Sequence, residues 1–261
     1  MERRPVPAVL ERADLERSLP RLGGMARANG VVIVSQRFWA FAGTDGSLRE
    51  GTMPRVPRGL RRAPLLRGLA RLGGSLSPLF RRTGVARRRE RWLLTAAIVA
   101  PFVLVFAPDI VGLVVGAAVT AALVLWLLRG RTLFLHGAEH RAIAAAEERR
   151  LRETWEGHAR PSRFSPRCGT NFAALVLPVA TLGQRFWPLA PTVFTPLVVT
   201  VLSLAVTMEL WQLVQASRSR AARAFLVPGL LLQRVTTREP RLEETQVALR
   251  AVASVLQREL D

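Results

Sequence analysis

Lysine and tyrosine are absent from this sequence, cysteine occurs once and histidine three times. Each scarcity narrows the reading. With 38 basic against 19 acidic residues and no lysine, the net charge of +19 is carried by arginine. A GC-rich coding sequence would write arginine where lysine serves elsewhere, so the choice of cation need not be functional. The charge itself still needs a partner. The lone Cys168 excludes an internal disulfide, so cysteine pairing does not fix the redox compartment. The first 22 residues contain no continuous apolar stretch, and no signal peptide is expected there.

What the chain has in quantity is apolar residues, 49% of 261, gathered in long runs. Runs of that kind point to an integral membrane protein. Arginines border them, so anionic lipid headgroups are the expected partner of the charge. Nucleic acid is the weaker candidate, because a basic footprint alone is poor evidence for it.

Taken in order, residues 1–57 read as a cytoplasmic arm, mobile over 1–22, followed by a small β-hairpin or meander. Val31–Ser35 and Arg37–Ala42 are β-branched and aromatic, and Thr44–Ser47 is a turn signal. Residues 58–91 read as a basic amphipathic helix interrupted at Gly73-Gly74. It lies either in the headgroup region or against the soluble part. Residues 92–128 read as a first transmembrane hairpin, with spans at 92–107 and 110–128 and a turn at Pro108-Asp109. Residues 172–216 read as a second hairpin, with spans at 172–186 and 195–214 and its turn at Trp187-Pro188 and Pro191. Arginines at the outer ends place both termini in the cytoplasm of a multi-pass plasma or inner membrane protein. Residues 217–261 read as a cytoplasmic amphipathic segment, ending in a helix over 242–260. The expected fold is mainly α: a polytopic bundle of about four spans, with a small β region and cytoplasmic amphipathic helices.

The chemistry concentrates in residues 129–171. His136 and His140 stand four apart, which on a helix turns both rings to one side. With Glu139 they spell His-x-x-Glu-His, the inverted zinc-protease pattern. In that pattern the histidines bind a divalent metal, zinc first among candidates, and Glu139 acts as general base. A third ligand is required. Glu147 lies two turns further, about 10 Å along a straight helix, and would serve a second metal, a substrate group, or the single site only if the helix breaks. Cys168 and Glu209 are the other candidates. The bland alternatives are definite. Histidine and arginine at a helix end can snorkel to headgroups. Cys168 can be ligand, nucleophile or packing residue. Glu209, inside the last apolar run, can face a site or pair with Arg218 or another arginine.

Three motifs in this order resemble the YqhQ family of uncharacterised bacterial multi-pass membrane proteins: HGAEHRAI with Glu147, PRCGTNF at 166–172, and PGLLLQRVTTREP at 228–240. The resemblance runs from Gly23 to about Val252. It implies a metal-dependent enzyme and an acid in the last span, which Glu209 matches. The chain departs from the pattern at Ser165, where a histidine is usual. It departs also at Met25 and Asn29, where Gln and Glu are usual, and at Gln246 in place of a glutamate. The leading expectation is a metal-dependent, hydrolase-like enzyme at the cytoplasmic membrane face. The alternative is a non-catalytic scaffold, assembly factor or small-solute carrier, with a membrane-tethered nucleic-acid binder third.

Overall fold

The computed structural model describes residues 4–261 apart from 82–83, 105–108, 191 and 218. Helix α1 (Val6–Leu15) is followed by strands β1 (Gly23–Arg27), β2 (Gly30–Val34), β3 (Phe38–Gly43) and β4 (Leu48–Thr52). Helices then run to the end: α2 (Arg58–Arg62), α3 (Leu66–Phe80), α4 (Arg88–Leu104), α5 (Asp109–Leu128), α6 (Thr132–Glu148), α7 (Leu151–Glu156), α8 (Gly169–Arg185), α9 (Thr195–Ala216), α10 (Arg220–Ala224), α11 (Val227–Thr236) and α12 (Leu242–Leu260). The protein is mainly helical with an N-terminal antiparallel sheet. Two compact units share the chain. One gathers Met1–Arg55, Leu127–Cys168 and Leu230–Asp261; the other holds Val56–Trp126 and Gly169–Gly229.

In the first unit the strands form an antiparallel meander in the order β1-β2-β3-β4. The β3–β4 turn carries Gly46 at φ 83°, and the Ser47 hydroxyl donates to Asp45 Oδ1 at 2.6 Å. Strand β1 is an addition to the expected hairpin. Its paired glycines look like punctuation in the sequence, but they are where α6 approaches the sheet. A Cβ on Gly24 would stand 2.8 Å from Glu139 Cγ and 2.8 Å from Val32 O.

Alternation then builds the core. Val31, Ile33, Ala40 and Ala42 face one side of the sheet, where α6 packs on β1 and β2 and α12 on β2, β3 and β4. Leu249, Val252 and Leu256 of α12 are fully buried there, together with Leu135 and Ala138 of α6. The C-terminal amphipathic helix thus covers the sheet. The stretch expected to be a mobile arm contains α1, because Val9, Leu10 and Ala13 form an apolar stripe that joins this core. Asp14 then accepts from the backbone N–H groups of Leu151 and Arg152 at 3.0 and 2.9 Å, capping the N-terminus of α7.

In the second unit α4, α5, α8 and α9 form over the four apolar runs. Among the described residues Thr195–Ala216 is the helix long and apolar enough to cross a membrane. Pro108 and Pro191, expected in the two hairpin turns, lie outside the described residues, as does Arg218. Helix α3 runs unbroken through Gly73-Gly74, contrary to the expected interruption, because its leucine periodicity continues past them. The break falls earlier, between α2 and α3, where Leu65 takes φ 66°. Helix α3 packs on α9: a Cβ on Gly68 would come within 2.8 Å of Met208 Cβ.

Candidate metal centre

A Gly130 turn at φ 60° ends α5 and releases the chain into α6. Alanine-rich from Gly137 to Ala146, α6 is a strong helix former and one of the most buried elements in its unit. Its four-residue spacing places the His136 and His140 rings together, centroids 4.5 Å apart and edge-to-face.

Two chain segments fix these rings. The end of α11 and the TTREP stretch pass directly over Gly137, where an added Cβ would meet Arg238 O at 2.2 Å. Arg238 N–H donates to Leu133 O at 2.9 Å. That contact brings Thr236 O to His136, whose Nδ1–H donates to it at 2.8 Å. From the other segment, Arg163 O accepts from His140 Nδ1–H at 2.7 Å. Arg163 is itself tied to TTREP, donating to Thr237 O at 3.0 Å and Thr237 Oγ1 at 2.6 Å. Buried Arg141 crosses the same ground, donating to Pro161 O at 3.1 Å and Pro240 O at 3.3 Å.

A ring that gives its Nδ1 proton to a carbonyl keeps a lone pair on Nε2 when neutral. Burial favours the neutral form of both rings. Burial lowers the His136 pKa below its usual value. Burial first, then the neighbouring His136 ring, pushes His140 down to about 3. His140 is 1% exposed, and its Nε2 is buried without a hydrogen-bond partner. His136 Nε2 stands 3.3 Å from Cys168 Sγ.

Cys168 arrives from the PRCG turn, where its N–H donates to Ser165 O at 3.5 Å. Gln233 holds that turn at both polarities: Ser165 N–H donates to Oε1 and Nε2 donates to Ser165 O, each at 2.8 Å. One ligand atom from each of His136, His140 and Cys168 lies within 4.8 Å of the other two. Around a tetrahedral zinc ion, nitrogen at about 2.0 Å and sulfur at about 2.3 Å would stand roughly 3.5 Å apart. The His136–Cys168 edge already has nearly that length. Two imidazoles and a thiol, each imidazole oriented by a carbonyl behind it, fit a borderline-soft divalent metal.

The other expected residues sit elsewhere. Glu139 turns toward the sheet, is 5% exposed and accepts from Ala26 N–H of β1. Burial raises its carboxyl to about 8, partly offset by that bond. Glu147, in the last turn of α6, pairs with Arg167 at 2.5 Å. Glu209, in the second unit, accepts from Arg67 Nε at 2.8 Å and from Leu65 N–H at 3.2 Å, so arginine pairing involves Arg67. The departures from the family pattern also have places. Met25 lies in β1, and Asn29 O accepts from Thr44 N–H at 2.9 Å. Gln246 Nε2 donates to Trp155 O at 3.1 Å. Sequence reasoning did not single out Gln233, Arg141 or Arg163; each lies within or beside a motif, and only the folded chain brings it to the histidines.

Comparison with known proteins finds a match to the family described as Protein of unknown function (DUF1385) over residues 97–258, which contain all three motifs. Uncharacterized protein YqhQ from Bacillus subtilis (strain 168) is 33% identical over 138 residues, 49% of this chain and 42% of that protein. The match thus spans less than half of the relative's length. No solved structure matches.

Proposed function

This chain belongs to the YqhQ family, and from that premise and the geometry above we propose that it is a membrane protein carrying a metal-dependent, hydrolase-like site. His136, His140 and Cys168 would hold the metal. The observation that carries this reading is the orphaned His140 Nε2, buried and gathered with a second imidazole and a thiol. A buried acceptor without a partner is costly, and a ligated cation removes that cost. Three protein ligands leave a tetrahedral metal one open position, the arrangement of catalytic rather than structural zinc sites. A divalent metal there supplies Lewis-acid polarisation of a substrate carbonyl or phosphoryl oxygen. The carbonyls of Thr236 and Arg163 hold the imidazoles in the ligating tautomer. For Glu139 to move the proton, its carboxyl, with a pKa raised to about 8, must leave Ala26 N–H of β1 and turn toward the ligand group.

The membrane part of the proposal draws on the second unit. Apolar side chains along all four helices face outward, Trp92, Ile110, Leu177 and Leu213 each more than half exposed. Surface of that kind calls for lipid or another protein. Four spans, cytoplasmic termini and anionic headgroups against the arginines are the arrangement proposed.

The experiment is metal analysis of the purified chain beside a His136→Ala/His140→Ala double variant. About one zinc or similar ion per chain in the wild type, lost in the variant, is the expected result. Equally little metal in both would remove the reading. A non-catalytic scaffold, assembly factor or carrier is the second reading. It is favoured by the structural roles of Gln233, which holds the Ser165 backbone, and Arg141, which holds Pro161 O and Pro240 O and pairs with Glu239. It expects full cellular function in Glu139→Gln protein.

A further inference from the structure

His136, His140, Ile143 and Glu147 follow one another at three- and four-residue steps and share one side of α6. Past the histidines, this side of the helix borders a cavity of about 260 Å³. Leu22 and Ile143 give it apolar wall, and Arg21, Arg149, Arg167 and Glu147 give it charge. Three arginines line it against one glutamate, a formal excess of two positive charges.

The arginines are positioned by the fold. Arg149 takes the left-handed conformation that closes α6, at φ 57°, and its Nη1 donates to Ala13 O at 3.1 Å. Arg167 is the chain neighbour of Cys168 and is engaged by Glu147 at 2.5 Å. A guanidinium fork matches a carboxylate or phosphate edge. The Glu147 carboxylate therefore occupies the position on Arg167 that an external anion would take.

We propose that this cavity binds the phosphate group of a phosphomonoester, with Glu147 as the counter-ion that the phosphate displaces from Arg167. A phosphomonoester is close to a dianion at pH 7, since its second pKa is about 6. It therefore balances the formal excess of two positive charges, which a carboxylate cannot. The apolar wall takes the carbon chain of the ester. Binding stands on the cavity alone. That the bound ester is also the substrate rests on the metal reading, because cavity and ligand group share one side of α6.

The test uses the full chain in neutral-detergent micelles, titrated with inorganic phosphate, glycerol 3-phosphate, and mixed micelles of phosphatidic acid with phosphatidylcholine micelles as control. The overall charge of +19 attracts any anion weakly, so the variants read the pocket. Arg21→Gln and Arg167→Gln are expected to weaken binding about tenfold or more, the loss of a charge-assisted hydrogen bond. Arg150→Gln, outside the cavity, should leave it unchanged. Glu147→Gln should tighten it, since the competing carboxylate is gone. Binding of phosphatidic acid but not glycerol 3-phosphate assigns the ester to lipid; the reverse assigns it to a soluble metabolite. No saturable binding of any probe, or equal affinity in wild type and both arginine variants, overturns the proposal. Metal content measured in the same samples separates the two readings: phosphate binding that persists in His136→Ala/His140→Ala protein keeps the pocket even if the metal reading fails.

Discussion

Glu139 is a buried carboxyl whose proton is bound more tightly in the folded chain than in the unfolded one. Its pKa rises from the ordinary 4.5 to about 8. Between those values the folded state holds more protons, so metal-free stability is full below about 4.5 and falls as pH rises toward 8. Replacing it with glutamine should flatten this fall, leaving Glu139→Gln relatively more stable than wild type at pH 8 than at pH 5. Denaturant titrations at the two pH values check this; parallel curves would contradict it. His140 acts with the opposite sign. Its lowered pKa, about 3, makes stability fall as pH drops below 6.5. At Gly137 the contact is steric: Gly137→Ala drives a methyl into Arg238 O and should cost about 1–3 kcal/mol in chemical unfolding. Much of this was legible at the residue scale. The four-residue histidine spacing alone puts both rings on one side. Cys168 could be named only as a candidate, because nothing in a 28-residue separation from His140 says that the PRCG turn folds back. Glu139 neighbours His140 in sequence, yet a helix turns about 100° per residue, and here that rotation aims it at β1.

Among the elements, α12 was the plainest in the sequence and α1 the least. Leu249, Val252 and Leu256 repeat at helical steps and are fully buried on the sheet. Leu249→Ala should destabilise the first unit by about 2–5 kcal/mol, measured by thermal or denaturant unfolding. The N-terminal stretch hides its three core residues among arginines, glutamates and prolines, and composition alone suggests an arm. Leu10 is as buried as Leu249, so Leu10→Ala should cost a comparable amount. A change below about 0.5 kcal/mol, the size of an ordinary surface substitution, would show that α1 is not part of the fold. Strand β1 escaped notice for a related reason. Glycine reads as a breaker, and the close approach of α6 that requires Gly24 is a tertiary fact.

For the whole molecule, hydropathy located four helices but not how the chain divides into units. The split is discontinuous in sequence, since segments more than 200 residues apart meet in one unit: Ser254 donates to Glu50 at 2.7 Å. Local patterning carries no signal for such pairings. The proposed topology makes its own prediction. A fluorescent reporter that matures only in the cytoplasm should be bright when fused after Asp261 and again when fused at the N-terminus. A dark C-terminal fusion with a bright N-terminal one would mean an odd number of crossings. The account turns, however, on the ligand group in the first unit. X-ray absorption at the zinc edge, on chain loaded with one equivalent of zinc, reads that group directly. The expected first shell has two imidazole nitrogens near 2.0 Å and one sulfur near 2.3 Å, and the sulfur disappears in Cys168→Ser. A shell of oxygen atoms alone, or one unchanged by the cysteine substitution, would contradict the central claim.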